Sequence, residues 1–69
     1  MLVISVEPLD GLWSITSTGL ATKLVFQSGA AAERAARDLG LRAAAMGRAA
    51  EIVVRLRSGH LAGRILCQP

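Results

Sequence analysis

His60 and Cys67 are the only imidazole and the only thiol in the chain, and its carboxylates are Glu7, Asp10, Glu33, Asp38 and Glu51. A nucleophile needs a general base within hydrogen-bond reach, and no pattern in the sequence sets one beside Cys67. A structural zinc site takes four protein ligands, which one Cys and one His cannot supply. Glu7 and Asp10 flank a turn, and Glu33 and Asp38 stand four residues from Arg37 and Arg34, so the acids are matched to bases rather than to each other. No Gly-rich loop ends in Lys-Ser or Lys-Thr, and no G-x-G-x-x-G joins a strand to a helix, so neither phosphate cradle is present. The expectation is a protein that is not an enzyme, with no catalytic, cofactor-binding or metal residues, no cofactor and no small-molecule substrate.

Charge is the remaining chemical signal. Residues 1–33 set Lys23 against Glu7, Asp10 and Glu33, whereas residues 34–69 set seven Arg against Asp38 and Glu51. The net +3 therefore hides an acidic first half and a basic second half. A basic half suits an anionic partner such as nucleic acid or a membrane surface. Composition offers a plainer origin, since seven Arg to one Lys, twelve Ala and no Asn or Tyr are typical of a GC-rich genome. The N-terminus lacks a basic leader, and no apolar run approaches the roughly 18 to 20 residues that span a bilayer. A cytoplasmic protein with no membrane partner is expected.

The elements that would position these residues follow from apolar periodicity. Leu2, Ile4 and Val6 alternate with Val3 and Ser5, the period-2 pattern of a half-buried strand. Pro8-Leu9-Asp10-Gly11 reads as a four-residue turn, which sets Val6 opposite Trp13 and Ile4 opposite Ile15. Gly19-Leu20 suits a two-residue hairpin that sets Ile15 opposite Leu24 and Trp13 opposite Phe26. Strands are therefore expected near residues 2–6, 12–16 and 22–26.

Ser28 is a candidate N-cap for an alanine-rich helix. Its buried arc is expected to hold Ala32, Ala35, Ala36, Leu39, Ala43 and Met46, with Glu33–Arg37 and Arg34–Asp38 pairs on the opposite arc. The helix ends either at Gly40 or at a left-handed Gly47. Residues 51–57 alternate again, and a Ser58-Gly59 turn sets Leu56 opposite Leu61 and Ile52 opposite Ile65, with Cys67 on the same inner face. The fold class is α+β: βββαββ, a mostly antiparallel five-stranded sheet with one amphipathic helix packed on one face, as a single domain over residues 1–69. Strand order is open. A domain this small has about 3 to 5 kcal/mol from its core, and a lone cysteine cannot add an intrachain disulfide.

The outward sheet face is the candidate interaction surface. It is expected to carry Lys23, Arg55, Arg57, His60 and Arg64 beside Val3, Leu12, Val25, Val53, Ala62 and Leu66. Two readings fit. In the first, the apolar members are covered by a second copy and the protein is a homodimer, with Arg as its rim. In the second, Arg55, Arg57 and Arg64 track phosphates in sequence-indifferent nucleic-acid binding. The second is weakened because Trp13 and Phe26, the only aromatics, are assigned to the inner face, where no base can stack on them.

Trp13-Ser14-Ile15, Phe26-Gln27-Ser28, Ala35-Ala36-Arg37-Asp38-Leu39 and Glu51-Ile52-Val53-Val54 followed by Ser58-Gly59 together resemble a family of small bacterial domains of unknown function. The family pattern is a Trp-x-Val/Ile strand, a strand ending in Phe-x-Ser, an Ala-Ala-Arg-x-Leu helix and a Val-Val hairpin with a Gly turn. The likeness spans about residues 12–62. It implies the same fold, and it implies no activity and no catalytic residues.

Overall fold

The computed structural model describes residues 1–19 and 23–69. Five strands, β1 (Leu2–Leu9), β2 (Leu12–Ser17), β3 (Leu24–Phe26), β4 (Ala50–Arg55) and β5 (Leu61–Cys67), form one sheet in the order β3-β2-β1-β4-β5. The helix α1 (Gly29–Ala45) lies between β3 and β4 in the chain and packs against all five strands. The βββαββ order is as expected, but the sheet is mixed: β1 and β4 pair in parallel at its centre, with the other three pairings antiparallel. Parallel pairing there is a consequence of the element order. A meander points its first and third strands the same way, and a helix crossing back over the sheet returns the chain to that starting direction. Beside either strand, β4 runs parallel.

The first hairpin is tighter than expected. Asp10 and Gly11 have φ of 47° and 80°, the two left-handed residues of a type I′ turn. Pairing consequently runs Leu9 to Leu12, Pro8 to Trp13, Val6 to Ile15 and Ile4 to Ser17, rather than Val6 to Trp13 and Ile4 to Ile15. The slip is two residues, so every side chain keeps its face. In the second hairpin Trp13 pairs with Phe26 and Ile15 with Leu24, as expected; of the Gly19-Leu20 turn, Leu20 lies outside the described residues.

The third hairpin corrects another expectation. Leu56 N–H donates to the His60 carbonyl and Gly59 N–H to the Leu56 carbonyl, both at 2.9 Å, closing a loop over Arg57, Ser58 and a left-handed Gly59. An irregularity between Val54 and Arg55 then restores the expected Ile52–Ile65 pair. Between the two lies the cost: Leu61 faces Arg55, not Leu56, and turns to the outer side of the sheet. A β-bulge with one unpaired residue accounts for the flip.

Seen from the helix, the inner face is a set of rows. Leu2, Ala50 and Cys67 make the first; Ser17, Ile4, Ile52 and Ile65 the second; Leu24, Ile15, Val6, Val54 and Gly63 the third; and Phe26, Trp13 and Pro8 the last. Ile4, Val6, Ile15 and Ile52 are completely buried. The helix covers them with Ala32, Ala36, Gly40 and Ala43, a stripe small enough for close approach.

Ser28 caps the helix as expected, its Oγ accepting the Ala31 N–H at 3.1 Å. The helix continues past Gly40 and closes on Gly47 (φ 81°): Gly47 N–H donates to the Ala44 carbonyl and Arg48 N–H to the Ala43 carbonyl, a Schellman motif. Met46 is consequently the C-cap, 86% exposed, and not part of the buried arc. Its place is taken by Gly40, where an added Cβ would stand 2.9 Å from Cys67 Sγ and 3.2 Å from Ile52 Cδ1. The helix ion pair is Asp38–Arg42 at 3.0 Å instead of Arg34–Asp38. The observed pair puts the acid N-terminal to the base, the order that also complements the helix dipole. Glu33 and Arg37 share a shallow groove without closing to ion-pair distance.

Candidate interaction surface

Strand order decides what the outer face contains. Because β4 lies beside β1, Val6 faces Val54, and the next residues along, Glu7 and Arg55, become neighbours. The Arg55 Nε is 3.8 Å from Glu7 Oε1, and an Arg55 Nη1 also donates to the Gly59 carbonyl at 3.5 Å. One hairpin further on, Arg64 Nη2 lies 2.8 Å from Glu51 Oε2. Two of the three arginines expected to track phosphates are therefore matched to carboxylates on adjacent strands. Arg57 sits in the hairpin loop rather than on the sheet, and His60 follows it, its Nδ1 3.0 Å from Ser58 Oγ. Lys23 is exposed just ahead of β3.

Between the ion pairs the face is small and polar. Ser5, Ser14 and Thr16 occupy its centre, and Ser14 Oγ donates to the Glu7 carbonyl at 3.3 Å while being almost fully buried. The apolar members divide by position. Val53 is only 8% exposed beneath its neighbours and Val3 is half-buried, whereas Val25 on β3 and Leu66 on β5 are about half exposed at the two edges. Ala62 is exposed at the bulge. The face is thus no continuous apolar platform: its most exposed apolar side chains lie along the rims, on the two edge strands, and Leu12, 39% exposed, stands apart at the start of β2.

Leu61 joins that rim, 48% exposed, and was missed because strict alternation assigns it inward. Gly63 was the available signal, since a glycine inside a strand pattern often marks a bulge. Leu56, expected inward, is likewise 47% exposed. On the helix, Leu41 is exposed apart from both rims. Leu39 lines a cavity with Leu2, Ile4, Ser17 and Thr18 on the β1–β2 side, and Gly40 meets Cys67 and Ile52 on the β4–β5 side. At 3.6 residues per turn, Leu41 stands about 140° from the centre of the buried stripe, on the solvent arc with Arg34 and Arg37, and it is 63% exposed.

That cavity, about 210 Å³, also takes in Gly19 and Arg48. Its polar side chains are Ser17, Thr18 and Arg48, and Thr18 Oγ1 already accepts the Val3 N–H at 3.1 Å. None of its lining residues is a carboxylate, an imidazole or a thiol that could serve as a base. Cys67 is buried under Gly40, far in kind from an exposed nucleophile. Among the described residues no three His, Cys, Asp or Glu side chains gather as a metal site, and no helix is long and apolar enough to cross a membrane.

The chain matches no protein-family model, and comparison with curated proteins and with solved structures likewise gives no match.

Proposed function

We propose that the protein is a non-enzymatic interaction module that works as a homodimer, a cytoplasmic member of the small bacterial family its motifs resemble. The observation that carries this reading is the placement of exposed hydrophobic side chains. Leu61 and Leu66 flank one edge of the sheet and Leu24 and Val25 the other, while Arg55 and Arg64 between them are paired. Isolated exposed leucines need no explanation, but several at the rim of a strand with no neighbour form an association surface. A domain limited to about 3 to 5 kcal/mol by its own core gains from covering them. Light scattering coupled to size exclusion, from high micromolar concentration downward, is expected to show a dimer that dissociates on dilution. A monomer at every concentration defeats the proposal.

Nucleic-acid binding is the weaker alternative, because Glu7 and Glu51 beside Arg55 and Arg64 offset the positive charge that would draw phosphate. A mobility-shift titration is expected to show no retardation at about 50 mM salt. Retardation that fades steeply as salt rises is the signature of phosphate contacts and would reverse the ranking.

A further inference from the structure

We propose that two copies join along β5, antiparallel and about a two-fold axis at Ile65, extending the sheet from five strands to ten. The inference rests on the homodimer reading above and supplies its geometry.

Among the described residues β5 has β4 on one side only, so alternate backbone N–H and C=O groups along its other side have no strand partner there. Exposed edges are ordinarily defended by proline, by bulges, by unpaired charge or by shortness. The other edge, β3, is three residues long. β5 has seven residues and no proline, and its irregularity precedes Gly63, leaving Gly63 to Cys67 as regular strand. Its one charge, Arg64, is bound to Glu51.

Register follows from the side chains. An axis at Arg64 would oppose two like charges, which destabilises a cross-strand pair. Moved to Leu66, it would push the pairing past the end of the strand. An axis at Ile65 sets Ile65 on the partner's Ile65, Gly63 on the partner's Cys67, and Arg64 on the partner's Leu66.

Charge supports the same axis. Leu66 pairs with Glu51 across β4, so Arg64 lies two strand spacings, about 9.6 Å, from the partner's Glu51. That distance is within the combined reach of the two side chains, and two Arg64 and two Glu51 then alternate across the axis. A two-fold contact of this kind is self-complementary and closes at two copies, whereas β3-to-β5 pairing propagates without limit.

Leu66→Lys places a cation against the partner's Arg64 at a position half exposed in the single chain, and Val25→Lys is its counterpart on β3. With folding verified by circular dichroism, Leu66→Lys is expected to raise the dimer dissociation constant roughly tenfold or more, and Val25→Lys to leave it unchanged. Independently, Ile65→Cys in a Cys67→Ala background is expected to yield a covalent dimer with a short thiol-to-thiol crosslinker, and Val25→Cys in that background none. A wild-type dimer that withstands Leu66→Lys, or that crosslinks through Val25→Cys and not Ile65→Cys, overturns the edge assignment and leaves self-association standing. A monomeric wild type removes both.

Discussion

Ile52→Ala is expected to remove most of the chain's folding stability at 25 °C. Ile52 is completely buried, and its row places Ile4 on one side and Ile65 on the other, under the Gly40 turn of the helix. Truncating a buried isoleucine costs about 2 to 5 kcal/mol, more where the surroundings cannot collapse into the space. Here the neighbours are held by parallel pairing on one side and antiparallel pairing on the other, so little collapse is available. Set against about 3 to 5 kcal/mol for a domain of this size, the loss consumes most of the stability. Urea unfolding monitored by circular dichroism checks it. A fall of less than about 1 kcal/mol would mean that the core is not centred on this residue.

Gly40→Ala is the second large effect, and its sign separates two forces. Alanine is the better helix former by about 1 kcal/mol, so a helix judged alone would be strengthened. The new methyl, however, arrives 2.9 Å from Cys67 Sγ and 3.2 Å from Ile52 Cδ1, both in the buried layer between helix and sheet. Overpacking of this kind costs about 1 to 3 kcal/mol, and the net expectation is a less stable protein. The double variant Gly40→Ala with Cys67→Ala removes the sulfur that is nearest and is expected to recover most of the loss. If Gly40→Ala alone raises the unfolding midpoint, the close approach of the helix at this turn is disproved.

Much of the fold was legible because apolar alternation and turn residues agree. The Trp13–Phe26 and Ile52–Ile65 pairs emerge from both, and Ser28 announces the helix through its hydroxyl. The errors have local physical causes. Pro8 and Leu9 looked like turn residues beside Asp10-Gly11, yet two left-handed residues suffice to reverse a strand, and Pro8 continues it. Counting from Gly59 gave a two-residue turn where the loop has three, and the bulge that repairs the register rotates Leu61 outward. Met46 shares the wheel angle of the buried arc but arrives where the helix already turns away.

The surface was less legible than the core, since its chemistry depends on which strands adjoin. Arg55 and Arg64 look free along the sequence and are matched to Glu7 and Glu51 only once β1, β4 and β5 lie side by side. Periodicity gives the face of a residue and is silent on its lateral neighbour.

The parallel join at the centre also shapes how the chain acquires its form. Each flank of the sheet is a set of local hairpins, but Leu2 meets Ala50 and Val6 meets Val54, partners 48 positions apart along the chain. Search for such distant partners is slow, because the connecting segment loses its freedom before the contacts reward it. Until β1 and β4 zip together, each half presents a bare middle strand to its surroundings, so the same seam that completes the molecule is where an incomplete one is most open to capture by a neighbour.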